Sequence, residues 1–284
     1  MTTIKSLSKT NFDTIFLAFE EAFKDYEVQL NKEELGDMLN RRGFVPDLSF
    51  GAFDNDKIIA FTLTGIGLYN GINTAYDTGT GTIKEYRGQG LASEIFNYSL
   101  SFLKKANIRN FMLEVLQYNS KAISVYQNLG FKVSREFNYY VQIKEKINLN
   151  AAALDLSYHI RQIDLPPDKL IANFWDFTPS WQNSLNAIKR KPNDFKILGA
   201  FKEQELIGYC ILESISGDIP QIAVDPQYRR KGIASHMLIE LLQYNQHQSI
   251  KIINTQTDCK SMTDFLKSKE IPLTGKQFEM IIHL

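Results

Sequence analysis

The segments Tyr86-Arg87-Gly88-Gln89-Gly90-Leu91-Ala92 and Tyr228-Arg229-Arg230-Lys231-Gly232-Ile233-Ala234 are two versions of one pattern. Each is a basic, glycine-containing turn that leads from a strand-like stretch into an amphipathic helix. Such a turn presents backbone N–H groups at the positive end of a helix and favours a bound phosphate. Two copies at corresponding places indicate a duplicated module that binds a nucleotide or a coenzyme.

The spacing of later residues supports this duplication. The offset between the two halves is nearly constant, which a duplication predicts. It is 229 − 87 = 142 for Arg87 and Arg229, 258 − 119 = 139 for Asn119 and Asp258, and 265 − 126 = 139 for Tyr126 and Phe265. We therefore expect two domains of the same kind, a first over 1–146 and a second over 158–284. The linker is predicted at 147–157, where three consecutive alanines interrupt the strand pattern.

Length and composition limit the classes of protein. The chain has 284 residues, of which 44% are hydrophobic and 23% charged, and this is enough for two globular domains. The 32 basic residues balance the 32 acidic ones, which argues against a general nucleic-acid or anionic-membrane binder. No stretch approaches the roughly 18 apolar residues of a membrane helix, so we expect a cytoplasmic protein. Cys210 and Cys259 lie far apart, and neither a disulfide nor a metal site is expected.

Hydrophobic periodicity predicts a similar succession of helices and strands in both halves. In the first half it predicts helices over 12–23 and 32–42, strands over 48–53, 57–69 and 74–83, a helix after the turn, a strand over 111–115, a helix over 121–129 and a strand over 131–144. In the second half it predicts a short strand from 158, helical segments across 170–188, strands over 196–201, 205–214 and 218–224, a helix after the turn, a strand over 250–255, a helix over 260–266 and a strand over 278–284.

The strand before each turn has an unusual composition. Thr78-Gly79-Thr80-Gly81-Thr82 places two glycines in the first of these strands, and Asp218-Ile219-Pro220-Gln221 places a proline in the second. Glycine and proline weaken regular pairing, so we predict a bulge or a gap in each strand. An edge strand or a hairpin loop is the alternative reading.

With these features the chain resembles the GNAT superfamily of acyl-coenzyme A dependent N-acyltransferases, and it does so twice. The family's turn reads Arg or Gln, two residues, Gly, one residue, then Gly or Ala, and both turns satisfy it. In the first half the resemblance continues through Leu113-Glu114-Val115, Asn119, Ala122, Tyr126 and Gly130-Phe131. The implied fold is a mixed α/β architecture of two tandem domains, each a mostly antiparallel sheet with a splayed central strand pair flanked by helices.

The resemblance implies acetyl-coenzyme A as the cofactor, with its phosphates on the turns and its pantetheine arm in the gap between the splayed strands. A surface loop that simply begins a helix is the alternative for a single turn. Asn119 either contacts the pantetheine or only caps its helix. The residues expected to bind coenzyme are Thr82, Ile83, Arg87, Gly88, Gln89, Gly90, Leu91, Ala92, Asn119, Val224, Arg229, Arg230, Lys231, Gly232, Ile233 and Ala234.

Acyl transfer to an amine requires a neutral amine, a polarised thioester carbonyl and a proton for the departing thiolate. Tyr126 matches the tyrosine that serves the family as general acid, although it also lies on a helical core stripe. Glu114 is the favoured base and Asp77 the second choice, since both lie on the strands that flank the predicted gap. The four histidines form no recognisable constellation, and none is assigned to catalysis.

The second half lacks part of this apparatus. Phe265 stands in place of Tyr126 and has no hydroxyl, and Asp258 replaces Asn119. The second turn nevertheless carries three consecutive basic residues. The second domain is therefore expected to be degenerate at the catalytic position, and either to bind coenzyme without catalysis or to wall in the acceptor site of the first.

The resemblance thus implies an N-acetyltransferase that moves an acetyl group directly from acetyl-coenzyme A to a primary amine. A non-catalytic coenzyme sensor or scaffold is the alternative. A dinucleotide-binding protein is disfavoured because neither turn has the full Gly-x-Gly-x-x-Gly pattern with a following acid. The acceptor is left open among small amines, amino acids, peptide termini and antibiotics. No nucleic acid or membrane partner is expected, and the protein is expected to be a monomer or a homodimer.

Overall fold

The computed structural model describes residues 2–26 and 29–284 and divides into two compact units. The first unit is formed by the residues up to Ser134 together with Phe278–Leu284, and the second by Arg135–Gln277. Residues 278–284, which the sequence assigns to the second domain, therefore lie in the first unit. Residues 135–146, which it assigns to the first domain, lie in the second unit.

The helices and strands follow the predicted succession closely. The first unit contains β1 (Thr2–Ser6), α1 (Phe12–Phe23), α2 (Lys32–Arg42), β2 (Phe50–Asp54), β3 (Lys57–Tyr69), β4 (Ile72–Thr82), α3 (Leu91–Lys105), β5 (Asn110–Leu116) and α4 (Ser120–Asn128). Strand β6 (Lys132–Ile143) begins in the first unit and continues in the second. The second unit adds β7 (Tyr158–Gln162), α5 (Asp168–Ile171), α6 (Leu185–Lys189), β8 (Phe195–Lys202), β9 (Glu205–Glu213), β10 (Asp218–Val224), α7 (Ile233–Leu242), β11 (Ser249–Gln256), α8 (Lys260–Ser268) and β12 (Leu273–His283), the last ending in the first unit.

Local capping signals define the first two helices. The side chain of Asn11 accepts a hydrogen bond from the Thr14 N–H at the start of α1. Asn31 and Glu34 form a reciprocal capping box at the start of α2, and Gly43, at φ 79°, ends that helix in the left-handed conformation. These are the preferred residues at helix ends, and they fix the helices at the bounds that hydrophobic spacing predicts.

The sheet of the first unit has the strand order β1-β2-β3-β4-β5-β12. Strands β1 to β4 pair antiparallel, whereas β4 and β5 pair in parallel. Among the described residues, the pairs between β4 and β5 end at Tyr76 with Met112. Strand β4 continues to Thr82 along β3 alone, so the two central strands diverge and the predicted gap is confirmed.

A bulge in β4 lies where this divergence begins. Leu63 pairs with Gly79, but its neighbour Thr64 pairs with Asp77, so Thr78 is an extra residue. A Cβ built on Gly65 would lie 3.2 Å from the Thr78 methyl group and closer still to the backbone at the end of α2. Thr78 therefore faces the helix pair α1 and α2 and not α3 and α4.

The sheet of the second unit has the order β6-β11-β10-β9-β8-β7 and repeats this arrangement. The parallel pairing of β10 with β11 is described only at Asp218 with Lys251. The pairing of β10 with β9 shifts in register between Asp218 and Gln221, on either side of the predicted irregularity. The apolar side of α7 packs into the core of this unit, with Met237, Leu238 and Leu241 buried.

Three differences from the predicted elements are informative. Strand β1 was not predicted, because it lies at the sheet edge and is mostly exposed. The predicted helical region 170–188 is broken into the short helix α5, a 3₁₀ turn over Ala172–Phe174 and the short helix α6. The apolar spacing that imitates one long helix comes partly from Phe174 and Trp181, which are buried from separate segments. Strand β12 begins five residues before the prediction. Within residues 2–26 and 29–284, no helix is long and apolar enough to span a bilayer.

Candidate active site

A hydrogen-bonded pair, Asp77 on β4 and Tyr126 on α4, lies where the central strands of the first unit separate. The Tyr126 hydroxyl donates to Asp77 Oδ2 at 2.8 Å. The Thr80 hydroxyl lies 2.7 Å from the same oxygen, and the Gly79 N–H donates to Asp77 Oδ1 at 2.9 Å. The bulge makes this possible, because it turns the backbone so that Asp77, Gly79 and Thr80 converge on one carboxylate.

Burial controls the protonation of this pair. It raises the pKa of the Asp77 carboxyl above its ordinary value, against the hydrogen bonds from Thr80, Tyr126 and Gly79. Burial, followed by the negative charge of Asp77, raises the pKa of Tyr126 well above its ordinary value. Tyr126 therefore keeps its proton near neutral pH, and this proton lies in the hydrogen bond to Asp77.

Glu114 on β5 belongs to a second hydrogen-bonded pair. The hydroxyl of Tyr76, which is 2% exposed, donates to Glu114 Oε2 at 2.7 Å. Burial and then the charge of Glu114 raise the pKa of Tyr76 well above its ordinary value. Glu114 as a residue is half-buried, but its Oε1 is not exposed to solvent. The positive charge of Arg42, at the end of α2, opposes the increase in the Tyr76 pKa.

The two pairs lie on opposite faces of the sheet. A Cβ built on Gly81 would lie 3.0 Å from Ala22 Cβ, so Gly81 faces α1. Because side chains alternate along a strand, Thr80 and Asp77, which contact each other, face α3 and α4. The bulged residue then places Tyr76, and with it Glu114, on the α1 and α2 face. A proton donor and a carboxylate therefore lie on the two sides of one gap.

A cavity of about 160 Å³ occupies the α3 and α4 side of this gap. Asp77, Tyr126 and the threonines 62, 80 and 82 provide its polar groups, and apolar side chains from α3, β5, α4 and the residues just after α4 provide most of the rest. Its lining also includes Gly81 and Thr82, the last residues of β4, where backbone groups are not paired to β5. An extended, partly apolar chain with amide groups fits such a slot because it can continue the broken ladder of hydrogen bonds.

The turn before α3 is open. Gly88 and Gly90 both have φ 80°, in the left-handed region that favours glycine. A Cβ built on either would have no atom of the described residues within 4 Å beyond its chain neighbours, so the requirement is conformational and the space is vacant. Gly90 precedes Leu91 without a side chain to cap α3. The first N–H groups of the helix therefore face outward, as an anion site requires.

Arg87 is directed away from this open space. Its Nε donates to Thr82 O at 3.1 Å, and its guanidinium also donates to Ala22 O at 2.8 Å and contacts Asp25. Arg87 thus fastens the end of β4 to the end of α1. The side chain of Asn119 likewise accepts from the Ala122 N–H at 3.2 Å and caps α4. Arg87 and Asn119 therefore hold the backbone around the predicted coenzyme site, and their side chains do not point into it.

The second turn reproduces these structural contacts. Arg229 Nε donates to Val224 O at 3.0 Å, and its guanidinium contacts Phe174 O and Asp176. Gly232, at φ 81°, precedes α7, and Arg230 adopts φ 64° where the first turn has Gly88. Tyr86 and Tyr228 also correspond, since each hydroxyl contacts an acidic residue of the neighbouring strands, Asp54 and Glu205.

Strand register supports the equivalence between the units. Paired residues are separated by 112 − 76 = 36 positions for Tyr76 with Met112 and by 251 − 218 = 33 for Asp218 with Lys251. This difference of three equals the difference between the offsets of 142 and 139 found for the sequence motifs. When these offsets are used to align the two units, each of the three candidate residues of the first unit corresponds to an apolar residue of the second. Asp77 corresponds to Ile219, Glu114 to Ile253 and Tyr126 to Phe265.

The gap of the second unit is filled by protein. Its cavity is about 60 Å³. The Gln221 side chain donates to Asn183 O at 2.5 Å, and Asn183 Nδ2 donates to Ile253 O at 2.8 Å, which links β10 to β11 across the divergence. Tyr209 donates to Gln221 at 2.5 Å and completes the network. The second unit therefore keeps the splayed geometry but replaces its acid–base groups with internal packing.

The structure brings together part of the residues singled out from the sequence, whereas Val224 and residues 229–234 lie in the second unit. Tyr126, Thr82 and Ala92 line the first cavity, and Glu114 lies across the gap. Ile83, Ile233 and Val224 are buried in the cores, so only their backbone groups can face a ligand. The pairing of Tyr126 with Asp77 was missed, although the offset of 142 aligns Asp77 with an isoleucine and could have singled it out. No cluster of metal-ligating side chains occurs among the residues that the structure describes.

Comparison with known proteins agrees with this geometry. The chain is 34% identical over 98 residues to N-alpha-acetyltransferase 30 of Schizosaccharomyces pombe, a match that covers 34% of this chain and 65% of that protein. It is 31% identical over 96 residues to the [ribosomal protein bS18]-alanine N-acetyltransferase of Escherichia coli, covering 33% and 61%. The chain thus spans less than two thirds of the length of these curated relatives.

Solved structures match the whole chain in fold. A tandem GNAT protein from the clavulanic acid biosynthesis pathway superposes with a TM-score of 0.75 at 10% identity and covers 100% of this chain and 98% of its own. A putative acetyltransferase from Pyrococcus horikoshii superposes with a TM-score of 0.69 at 15% identity, covering 100% and 89%. The model of the acetyltransferase (GNAT) family matches residues 13–131 and again residues 158–265. This chain therefore belongs to the GNAT family of acetyltransferases, with one copy of the family's fold in each half.

Proposed function

We propose that the protein transfers an acetyl group from acetyl-coenzyme A to a primary amine, and that the first unit carries out the reaction. The placement of Tyr126 and Glu114 on opposite faces of one gap carries this proposal. Acetyl-coenzyme A would enter from the α3 and α4 face, and the amine would enter from the α1 and α2 face. The two substrates would then meet between the Tyr126 hydroxyl and the Glu114 carboxylate.

The first unit fits the proposed donor. The open turn 88–92 offers backbone N–H groups to a pyrophosphate, and the cavity beside Gly81 and Thr82 offers a slot to the pantetheine arm. In this assignment Gly88, Gln89, Gly90, Leu91 and Ala92 act through their backbone. Arg87 and Asn119 act as positioning residues, because their side chains already contact Thr82 O and the Ala122 N–H.

The proposed chemistry uses the two pairs separately. Glu114 accepts the proton that the attacking amine loses, directly or through water, while the new N–C bond forms. Tyr126 gives its proton to the sulfur as the C–S bond breaks and is reprotonated from solvent after the products leave. Asp77 holds the Tyr126 hydroxyl in place, and its charge keeps that proton on the tyrosine until the thiolate develops.

For the acceptor we propose the α-amine at a peptide N-terminus. The two curated relatives described above are by name an N-alpha-acetyltransferase and a protein-alanine N-acetyltransferase. The half-buried Glu114 suits an α-amine, whose ordinary pKa of about 8 makes deprotonation by a carboxylate easier than for lysine.

The test is release of free thiol from acetyl-coenzyme A in the presence of a panel of amines. The panel contains a peptide with a free N-terminus, the same peptide blocked at its N-terminus but carrying a lysine, and a simple diamine. Thiol release that depends on the free N-terminus supports the proposal. Stabilisation by coenzyme A without thiol release from any amine would instead indicate a coenzyme sensor.

A further inference from the structure

The segment 148–154, which the sequence predicts to be part of a linker, is fixed against the second unit. The Asn148 N–H donates to Lys269 O at 2.9 Å, and its side chain reaches Ser268 O at 3.4 Å. The Asn148 side chain also accepts from the Asn150 N–H at 3.0 Å, which closes a local turn. Leu154 packs against the core cluster that contains α7 and α8. A flexible connection would not need these contacts.

Lys269 provides the first anchor of this segment. Lys269 is only 3% exposed, and its ammonium donates to Asn150 O at 2.6 Å. Burial lowers the pKa of this lysine, and a buried amine without a hydrogen-bond acceptor would destabilise the fold. The carbonyl of Asn150 satisfies this requirement, so the contact holds the segment beside the end of α8.

His236 provides the second anchor, directly after the second turn, 229–234. Its Nε2 lies 2.8 Å from Ala152 O, within the first turns of α7. A Cβ built on Gly232 would lie 3.7 Å from the same carbonyl oxygen. At the corresponding Gly90 of the first unit, no atom of the part of the chain that the structure describes lies within 4 Å of such a Cβ, apart from its chain neighbours. A carbonyl oxygen with partial negative charge thus lies near the N-terminus of α7, where a phosphate oxygen would bind.

We propose that residues 148–154 form a strap that closes the second turn, 229–234, to coenzyme. The chain then binds one coenzyme, in the first unit, and the second turn takes the nucleotide part of coenzyme A only when the strap is released. This inference rests on the coenzyme role proposed above for the first turn. It also explains why a turn with three basic residues is retained beside a gap that is filled by protein.

Calorimetric titration of the full chain with coenzyme A tests the closed state. One molecule bound per chain is expected, with hydrogen-exchange protection at 88–92 and none at 230–234. Two molecules bound, with protection at both turns, would overturn the strap. Failure to bind any coenzyme would overturn the proposed function instead, so the two failures are distinguishable.

Variants that remove the anchors test the strap directly. His236→Ala removes the contact to Ala152, and His236→Ala with Lys269→Met removes both anchors; Lys267→Met, at an exposed lysine of α8, is the matched control. Hydrogen exchange of 148–154 is expected to accelerate about threefold to tenfold with the loss of one hydrogen bond, and not in the control. If the double variant fails to fold, His236→Ala alone carries the test.

The probe for the released turn is 3′-phosphoadenosine 5′-diphosphate, the nucleotide part of coenzyme A, because it avoids the filled gap. Anchor variants with accelerated exchange in 148–154 are expected to bind a second equivalent and to show protection at 230–234. Accelerated exchange without a second equivalent would overturn the proposal, since the strap would then not be what closes the turn. Unchanged exchange would overturn it as well, because the anchors would not hold the segment.

Discussion

The two units share a backbone plan and differ in the groups that could do chemistry. Both have a glycine-initiated helix after a splayed strand, and an arginine that ties the strand end to the preceding elements, Arg87 in one and Arg229 in the other. The candidate positions differ completely: Asp77, Glu114 and Tyr126 of the first unit correspond by their offsets to Ile219, Ile253 and Phe265 of the second. The contacts that shape the fold are thus separable from the groups that would serve acetyl transfer.

Among the substitutions that test the difference between the two units, Glu114→Gln is expected to have the largest effect on activity. Loss of the proposed base should reduce kcat/KM for the amine by about 10²-fold to 10⁴-fold, because general-base catalysis contributes that much. Steady-state thiol release measures it, with Glu20→Gln on the exposed side of α1 as the control. Turnover within a factor of two of the unmodified protein would remove Glu114 from the mechanism.

Alanine substitutions at three glycines with similar φ values separate the effect of backbone strain on stability from the effect on coenzyme A binding. Gly90→Ala, Gly232→Ala and Gly71→Ala all place a side chain at a φ between 78° and 81°, so a similar loss of stability, about 1 to 2 kcal/mol, is expected for each. Only Gly90→Ala should also weaken coenzyme A binding, by about tenfold, because its Cβ enters the space proposed for the phosphate. Equal affinities in all three variants would show that the first turn does not bind the coenzyme.

The two arginines should behave alike in stability. Arg87→Ala and Arg229→Ala each remove hydrogen bonds to two backbone carbonyls, and each guanidinium is partly exposed, so a loss of about 1 kcal/mol in the free energy of unfolding is expected. Denaturant unfolding followed by two spectroscopic probes measures both. Coenzyme affinity should fall for Arg87→Ala alone. A fall for Arg229→Ala would indicate an active second turn.

Thr80→Val is expected to have the smallest effect, and it depends on pH. The hydrogen bond from Thr80 lowers the Asp77 pKa, so the part of its stabilising effect that depends on the Asp77 charge is present only while Asp77 is ionised. The contact of the Thr80 hydroxyl with the Thr62 hydroxyl at 3.1 Å does not depend on that charge. We expect a Tm lower by about 2 to 4 °C at neutral pH, with the difference becoming smaller as the pH falls through the pKa of Asp77, which burial places above 3.8.

Thr80→Ser retains the hydroxyl and serves as the control for this pH dependence. Its Tm should follow that of the unmodified protein over the whole range. A Tm difference for Thr80→Val that does not change between neutral and acidic pH would show that loss of the contact between the Thr80 and Thr62 hydroxyls, and not the charge of Asp77, causes the destabilisation.

Much of this architecture follows from local sequence signals. Hydrophobic spacing predicts the first two helices, the glycines and proline in β4 and β10 predict the splayed strands, and the two glycine turns identify the family. The placement of 278–284 in the first unit could not be predicted, because a strand pattern specifies a pleat and not a partner. The same holds for the strap, whose anchors His236 and Lys269 are distant in sequence from 148–154.

Only part of the candidate site could be predicted from the sequence, because some of its contacts form only in the folded chain. Tyr126 and Glu114 stand in motifs, so the sequence marks them as candidates. The contact of Asp77 with Tyr126 depends on the extra residue Thr78, which rotates the end of β4, and a bulge position cannot be read from alternation alone. Arg87 was expected to add charge for the phosphates, yet its donors are taken by carbonyls that only the folded chain brings near.

Tyr126→Phe tests most directly whether the first unit carries the chemistry. The unmodified protein and Tyr98→Phe, a partly exposed tyrosine of α3, are compared with it for thiol release at saturating acetyl-coenzyme A and for the Kd of coenzyme A. Our account predicts a kcat lower by about 10²-fold in Tyr126→Phe, a Kd within about twofold, and no change in Tyr98→Phe. An unchanged kcat in Tyr126→Phe would contradict the assignment of this tyrosine as the acid.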